Sequence, residues 1–366
     1  MKNNTINDLT QLEILRSLEI TENLIGKALI KENIHPPNVE IIAMPDLGLA
    51  NNYIRMKGGF FTGMYASWES EIPFIPVDAT VNSCGVSVFL LNTDISFSEF
   101  KSRVLSAKFK LKNSSYNWNY ERGNHFISVC QLNNGLYCVI MHSSADEYKR
   151  SIPNKSLYPE ESVWYYNNLH IVASDDGNRF LRYLTGKEAE YFSEIAVSLK
   201  DINHFRMKYM ADLLFHDILD KELLYVPHYG MPTTNSIAIG CSWSKKYAVL
   251  LTAPGRDIYI VKSIHTNDNA PWLMPHGLGT IIDLPCISFK KKQLIINKQL
   301  ISSDNDIANL SGKKIRFTDS NFEDYQHSLN QILKKCNATI ELTARPLFSI
   351  NKDGFKIFNV KKEDFQ

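Results

Sequence analysis

The sequence predicts an α+β fold in a single integrated domain, with central β-sheets flanked by helices. Strand-like and helix-like segments come in blocks rather than in strict alternation, which favours α+β over a doubly wound sheet. The 366 residues are 44% hydrophobic and 22% charged, so the chain can bury a sizeable core and is not of a disordered class. We find no low-complexity linker, internal repeat or sharp change of composition that would divide it.

Hydrophobic spacing assigns the first elements in chain order. Residues 1–38 form an N-terminal helical segment, with a short helix over 24–30 that runs into a His-Pro-Pro stop. Residues 39–92 are strands and turns, because they are rich in Gly, aromatic and β-branched residues. A long helix spans about 187–217, where apolar residues recur at steps of three and four.

The second half of the chain also has its strand-like and helix-like segments in blocks. Residues from about 223 to 300 are strand-rich. A late helix opens at Ser320, with Glu323 three residues on as a capping box. The last segment, 339–351, is extended.

A predicted β-hairpin brings two histidines together. Two extended runs flank the Asn-Asn-Gly of residues 133–135, and Asn-Gly is the preferred pair for a two-residue type I′ turn. With that turn, His142 lies opposite Ile127, which shares a face with His125, so the two imidazoles are diagonal neighbours within reach of one metal ion. A three-residue loop would instead move one of them to the other face.

Charge and composition exclude several function classes. Forty Lys and Arg against 39 Asp and Glu give a net charge of +1, so any polyanion must be met by a local patch. No apolar run is long enough to span a bilayer, and the polar start has no signal-peptide core. The six cysteines are scattered and do not resemble a disulfide framework. We expect a reduced, cytoplasmic protein with no membrane partner.

Three lysines suggest one such patch. Lys108, Lys110 and Lys112 alternate along a strand-like run and would share one face, which could follow a phosphate backbone. Solvated surface lysines are the other explanation.

Three further residues extend the candidate metal site. Cys84 lies before an apolar run, with Gly85 allowing close approach of the backbone. His228 ends a predicted strand, and His276 is followed by glycines that would expose its imidazole. One thiolate and three imidazoles could hold a borderline-soft divalent ion such as manganese, zinc or cobalt. The alternative is that these are ordinary histidines, satisfied by water or backbone.

Taken in order, these segments resemble the RtcB-type RNA ligases, which join an RNA 3′-phosphate or 2′,3′-cyclic phosphate to a 5′-hydroxyl using GTP and manganese. The resemblance runs from about residue 40 to 354 and implies an RtcB-like catalytic domain over 39–366. The matching motifs are AMPDLG at 43–48, CGV at 84–86, GNHFISV at 123–129, HS at 142–143, VPHYG at 226–230, APGRDIYIVK at 253–262, PHGLG at 275–279 and NKDG at 351–354.

The resemblance implies the metal ligands. Cys84 would be shared by two manganese ions, and His125, His142 and His228 would complete their coordination. Whether one ion binds or two is left open.

The resemblance also implies the nucleotide-binding residues. His276 would attack GTP and become guanylylated, and Asn124 would contact the nucleotide phosphate. Arg256 would supply a new phosphate contact, and Lys352 would serve as the terminal lysine of the family. A structural or phosphate-binding role is the alternative for His276.

The chain departs from the family where phosphates and guanine are bound. Val81 replaces the carboxylate before the cysteine, and Thr280 replaces an arginine. A second arginine has given way to the acidic segment 143–147, Ser128 replaces an acidic residue, and Tyr229 replaces an asparagine. Thr cannot replace the bidentate, charged contacts of arginine to phosphate.

Three functions are consistent with this pattern. The first is a metal-dependent RNA ligase acting through a histidine–GMP intermediate. The second is a catalytically reduced, metal-containing protein that binds RNA ends, and the third is a 2′,3′-cyclic phosphate hydrolase without guanylylation.

Overall fold

The structure, a computed structural model, describes residues 1–112, 116–150, 156–264 and 272–358. About 31% of the chain is helical and 35% lies in strands, which confirms the predicted mixture of helices and sheets. Within these ranges, every helix is too short or too polar to cross a bilayer.

The described residues contain seven α-helices and 23 strands, together with three short 3-10 helices and the connecting loops. The helices are α1 (Leu9–Lys31), α2 (Tyr53–Lys57), α3 (Phe97–Leu111), α4 (Val163–Asn167), α5 (Gly186–Phe215), α6 (Asp304–Ala308) and α7 (Phe322–Lys335). The strands are β1 (Lys2–Asn3), β2 (Val39–Gly48), β3 (Thr62–Trp68), β4 (Phe74–Pro76), β5 (Gly85–Leu91), β6 (Phe126–Leu132), β7 (Tyr137–Ser143), β8 (His170–Ala173), β9 (Phe180–Thr185), β10 (Leu219–Pro227), β11 (Tyr229–Gly230), β12 (Ser236–Ile239), β13 (Cys241–Ser244), β14 (Tyr247–Leu250), β15 (Ile258–Ser263), β16 (Trp272–Pro275), β17 (Thr280–Ile281), β18 (Ile287–Lys290), β19 (Gln293–Ile296), β20 (Gln299–Ile301), β21 (Lys314–Ile315), β22 (Ala338–Asn351) and β23 (Gly354–Ile357).

An eight-stranded antiparallel sheet forms the centre of the fold. Its strands run in the order β10-β5-β7-β6-β22-β15-β14, and β23 pairs with β22. A second, five-stranded sheet has the order β1-β2-β3-β12-β11. The chain crosses from one sheet to the other at His228, the single residue between β10 and β11.

Both faces of the central sheet are buried, and the period of two along β7 separates them. Val139 and Met141 pack with residues of α3 and α5. Cys138 and Ile140 pack with residues of β2, β12 and α7. His142 follows the second set along the strand, so its imidazole is directed to the layer between the two sheets.

The β6–β7 hairpin differs from the prediction by one residue. Phe126, not Ile127, lies opposite His142, because the turn contains all three residues of Asn-Asn-Gly. The N–H of Gly135 donates to Leu132 O at 2.9 Å, and Gly135 itself is left-handed with φ +87°. This is the type I turn closed by a left-handed residue that three-residue hairpin loops favour.

The expected separation of the two histidines by such a loop is also wrong. His125 precedes β6, so the alternation of the strand does not fix the direction of its side chain. Its ring centroid lies 5.5 Å from that of His142, with the rings nearly perpendicular at 86°.

Several predicted elements are confirmed and two change their bounds. The long helix is α5, and the last extended segment is β22. The helix predicted over 24–30 begins much earlier, because Asp8 accepts from the N–H of Gln11 in a capping box. Helix α7 is capped by Asn321 rather than Ser320.

The strand-like interpretation of Lys108, Lys110 and Lys112 is wrong. The first two lie in α3 and the third is its C-cap. Successive residues of a helix are rotated by about 100°, so Lys110 lies on nearly the opposite side of the helix from Lys108, and the three lysines do not share a face. Lys108 is paired with Glu121, at 2.5 Å.

We expect Gly135→Ala to destabilise the hairpin turn. The left-handed conformation costs an L residue about 1–2 kcal/mol, whereas no described neighbour lies within 4 Å of the added Cβ. Urea denaturation should report a loss of about 1 kcal/mol in the free energy of unfolding. Gly135→Asn should lose less, since asparagine tolerates this conformation. Equal stability of the wild type and Gly135→Ala would contradict the three-residue turn.

Candidate metal centre

Three side chains at or next to the ends of separate strands meet at one end of the central sheet. Cys84 immediately precedes β5, His142 lies on β7, and His228 joins β10 to β11. The Cys84 sulfur and one nitrogen of each imidazole all lie within 4.8 Å of one another. We call these three residues the metal group. The structure therefore brings together three of the four residues predicted to bind metal.

The two imidazoles of the metal group face each other. His142 Nε2 lies 3.1 Å from His228 Nε2. His142 Nδ1–H donates to the backbone oxygen of Asn124 at 2.9 Å, which leaves a lone pair on Nε2. One sulfur and two nitrogens at this spacing fit an ion with ligand bonds of about 2.0–2.3 Å. The donor set suits zinc or cobalt, and suits manganese less well because manganese prefers oxygen ligands.

Burial sets the protonation of the metal group. His142 is 0% and His228 is 2% exposed. Removal from water lowers the pKa of His142 to about 3 and that of His228 well below its usual value. Burial also raises the pKa of the Cys84 thiol to about 12. The imidazoles are therefore neutral and ready to bind a metal, whereas the thiol must first lose a proton.

His125 lies beside the metal group. Its Nδ1–H donates to the backbone oxygen of Asn119 at 2.9 Å, and burial lowers its pKa to about 4. Among the described residues, the set of donor atoms within 4.8 Å of one another does not include His125. The structure thus gives three close ligands and one neutral imidazole next to them.

The fourth histidine of the predicted site, His276, is held by a buried carboxylate. Its Nδ1–H donates to Asp46 Oδ2 at 2.9 Å and to Gly240 O at 2.8 Å. Its ring stacks on that of His228, with centroids 4.9 Å apart and planes at 23°. In the tautomer that carries its proton on Nδ1, Nε2 has a lone pair. The side chain is 15% exposed. Such an imidazole can act as a nucleophile, since the carboxylate stabilises positive charge that forms on the ring.

Asp46 was not among the predicted site residues. It lies in β2 and is fully buried, and its Oδ1 has no hydrogen-bond partner within the described ranges. A buried carboxylate with only one of its oxygens hydrogen-bonded costs free energy of folding, so its presence indicates a function. The signal available in the sequence was a lone acidic residue inside the apolar stretch AMPDLG, which also matched a family motif.

The predicted nucleotide-binding residues lie in different surroundings. The backbone of Asn124 contacts the metal group through His142. The guanidinium of Arg256 lies 4.5 Å from the centre of the Tyr325 ring, at the start of α7. Lys352 is exposed in the turn between β22 and β23. In the part of the chain that is described, neither Arg256 nor Lys352 makes a hydrogen bond to the metal group.

Two arginines near the metal group are neutralised. Arg206 is fully buried and pairs with Glu147. Arg122 pairs with Asp146 and, at 3.0 Å, with Glu147. Both carboxylates belong to the segment 143–147, where the resemblance to the RtcB-type motifs implied an arginine. The charges of these two arginines are therefore already offset by carboxylates.

Comparison with known proteins gives no assignment: no protein-family model and no curated protein matches the chain.

We expect metal affinity to increase with pH. In the metal-free protein, the Cys84 thiol with its pKa of about 12 stays protonated near neutral pH, and metal binding must release that proton. His142, with its pKa of about 3, has no proton to release. Zinc affinity, measured by competition with a chromogenic chelator, should therefore rise about tenfold per pH unit between about pH 6 and 9.

Cys336→Ala is the matched control for this titration. Its thiol is also buried, with a pKa raised to about 12, but it lies outside the metal group. Cys84→Ala should bind zinc more weakly and without the pH dependence, whereas Cys336→Ala should keep both. A wild-type affinity independent of pH would remove Cys84 from the ligand set.

Proposed function

We propose that this protein is a divergent RNA ligase of the RtcB type, which joins RNA 3′-phosphate or 2′,3′-cyclic phosphate ends to 5′-hydroxyl ends with GTP. The observation that carries the proposal is His276, held by Asp46 and stacked on His228 of the metal group. A fixed imidazole beside a divalent-cation site is what nucleotidyl transfer through histidine requires. The RtcB-like fold of residues 39–366 is part of the same proposal.

The side chains supply the chemistry as follows. With Nδ1–H committed to Asp46, His276 attacks the α-phosphorus of GTP through Nε2, and pyrophosphate leaves. A 2′,3′-cyclic end is first opened by water to a 3′-phosphate. GMP then passes from Nε2 to an oxygen of that 3′-phosphate. The RNA 5′-hydroxyl oxygen attacks the 3′-phosphorus, loses its proton to water, and displaces GMP as the phosphodiester forms. Asp46 offsets the positive charge on the ring during the first step. A metal ion at the metal group would offset charge on the phosphate oxygens.

The metal group supports one bound ion. Cys84, His142 and His228 supply three ligands, and Val81 adds none where a carboxylate was expected. We infer manganese, zinc or cobalt as the occupant, with one ion per chain.

A second candidate is favoured by the paired arginines. Because Arg122 and Arg206 are bound to carboxylates, we expect a low affinity for GTP. The metal group does not depend on these arginines. A 2′,3′-cyclic phosphate hydrolase, or a protein that binds RNA ends without sealing them, needs the metal group but no guanylylation.

We infer that the protein works in the cytoplasm on broken or processed RNA. All six cysteines are free thiols, as expected in a reducing compartment.

The ligase proposal is tested by labelling with α-³²P-GTP in the presence of manganese or zinc. We expect an acid-labile, alkali-stable label on the protein, because a histidine–GMP bond is a phosphoramidate. His276→Ala should abolish the label, and Asp46→Asn should slow labelling by about 10²–10⁴-fold, as for other histidines that lose their orienting carboxylate. His327→Ala, an exposed histidine on α7, is the control and should label normally.

The outcomes separate the candidates. No label together with GTP-independent opening of a 2′,3′-cyclic phosphate would support the hydrolase. No label and no opening, with RNA ends still bound, would support the binding protein. A label that persists in His276→Ala would contradict His276 as the nucleophile.

A further inference from the structure

Two buried cations near Cys84 have no carboxylate partner. Arg55 is 7% and Lys149 is 1% exposed, and within the described ranges neither forms an ion pair. Both approach Thr80: Arg55 Nε donates to its Oγ1 at 3.2 Å, and Lys149 Nζ reaches its backbone oxygen at 3.5 Å. Lys149 also donates to Asn82 Oδ1 at 2.6 Å. Buried charges are normally paired, so an unpaired couple indicates a missing anion.

On the other buried arginines both terminal nitrogens have hydrogen-bond partners, although Nε of Arg179 and Nε of Arg206 have none among the described residues. Arg206 and Arg316 each pair with a carboxylate. Arg179 donates to four backbone or hydroxyl oxygens. Among the described residues, Arg55 donates from Nε alone, while its guanidinium lies 4.3 Å from the centre of the Tyr229 ring. The terminal nitrogens of Arg55 are therefore available to a ligand.

The loop beneath this pair is held in a strained conformation. Thr80 has φ +43° and Ser83 has φ +54°. A β-branched residue in the left-handed region is an outlier, and such strain concentrates at ligand sites. The Tyr229 hydroxyl fixes the loop by donating to Ala79 O at 2.8 Å and Thr80 O at 2.7 Å. The same tyrosine thus positions both the loop and Arg55.

The carboxylate of Asp146 is already engaged. Asp146 acts on Lys149 electrostatically, but its side chain pairs with Arg122 and accepts from Ser144 Oγ at 2.5 Å. Val81, in the same loop, carries no charge. Burial and the nearby Arg55 lower the pKa of Lys149 to about 7. No ion pair offsets the charge of either side chain within the described ranges, so this neighbourhood favours an anion over a second cation.

We propose that Arg55 and Lys149 form an oxyanion site beside Cys84 that binds a phosphate group. Phosphate oxygens would accept from the terminal nitrogens of Arg55 and from the Lys149 ammonium. The existence of the oxyanion site does not depend on the proposed function. The identity of its ligand does: if the protein is a ligase or a hydrolase of RNA ends, the bound group is the 3′-phosphate of an RNA end. That group would lie next to an ion held by Cys84.

Equilibrium dialysis with ³²P-labelled inorganic phosphate and the metal-free full chain tests the site directly. We expect Arg55→Met and Lys149→Met each to weaken binding at least about tenfold, since hydrogen bonds to charged groups have this strength. Arg179→Met is the matched control: it removes another buried cation that stacks on a ring, and it should leave phosphate binding unchanged. Thermal melts of each variant establish that it is folded.

A second measurement covers variants that do not fold. Arg55→Lys keeps the charge and loses the forked geometry, and it should bind phosphate between the wild type and Arg55→Met. Fluorescence titration with RNA oligonucleotides should then show a preference for a 3′-phosphate over a 3′-hydroxyl that Arg55→Lys reduces. Wild-type protein that does not bind phosphate, or folded variants that bind it equally well, would overturn the proposal. Retained phosphate binding without GMP labelling would refute the ligase alone.

Discussion

The pairing of β5 with β7 on one side and with β10 on the other is the constraint on which the candidate site depends. Gly85 pairs with both Ser143 and Pro227. The three residues of the metal group are the chain neighbours of these three paired residues. Backbone hydrogen bonds therefore fix the distance between the thiol and the two imidazoles before any metal is bound. A slip of one residue in the β5–β7 pairing would turn His142 to the opposite face.

The pattern of hydrophobic residues was sufficient to predict the long helices and strands, but not the register in which β6 pairs with β7. Helix α5 and strand β22 follow from spacing alone, because many apolar residues repeat the same period. The turn after β6 depends on one residue, Gly135, and a local Asn-Gly preference could not decide between loops of two and three residues. In α3, lysines at alternate positions resemble the pattern of a strand, whereas the buried residues Phe100, Val104 and Ala107 follow the helical steps of four and three.

Local spacing in the sequence brings together only the two histidines of the hairpin, and the rest of the candidate site depends on the tertiary fold. Cys84 and His142 are far apart in the chain, and no short spacing announces a metal site. The contact between Asp46 and His276 joins β2 to the segment after β16, so only the tertiary arrangement of two sheets reveals it. Two residues that differ from the RtcB-type motifs have visible surroundings in the structure: the Tyr229 ring contacts the Arg55 guanidinium, and the uncharged Val81 provides no counterion in the adjacent loop.

We infer that one cation binds at the end of the central sheet where Cys84, His142 and His228 meet. A crystal structure of zinc-soaked protein, with anomalous scattering measured at the zinc edge, tests it most directly. We expect one strong anomalous peak per chain, bonded to Cys84 Sγ and to the Nε2 atoms of His142 and His228 at about 2.0–2.3 Å. A strong peak bound by other residues, or no peak between these three side chains, would contradict the account.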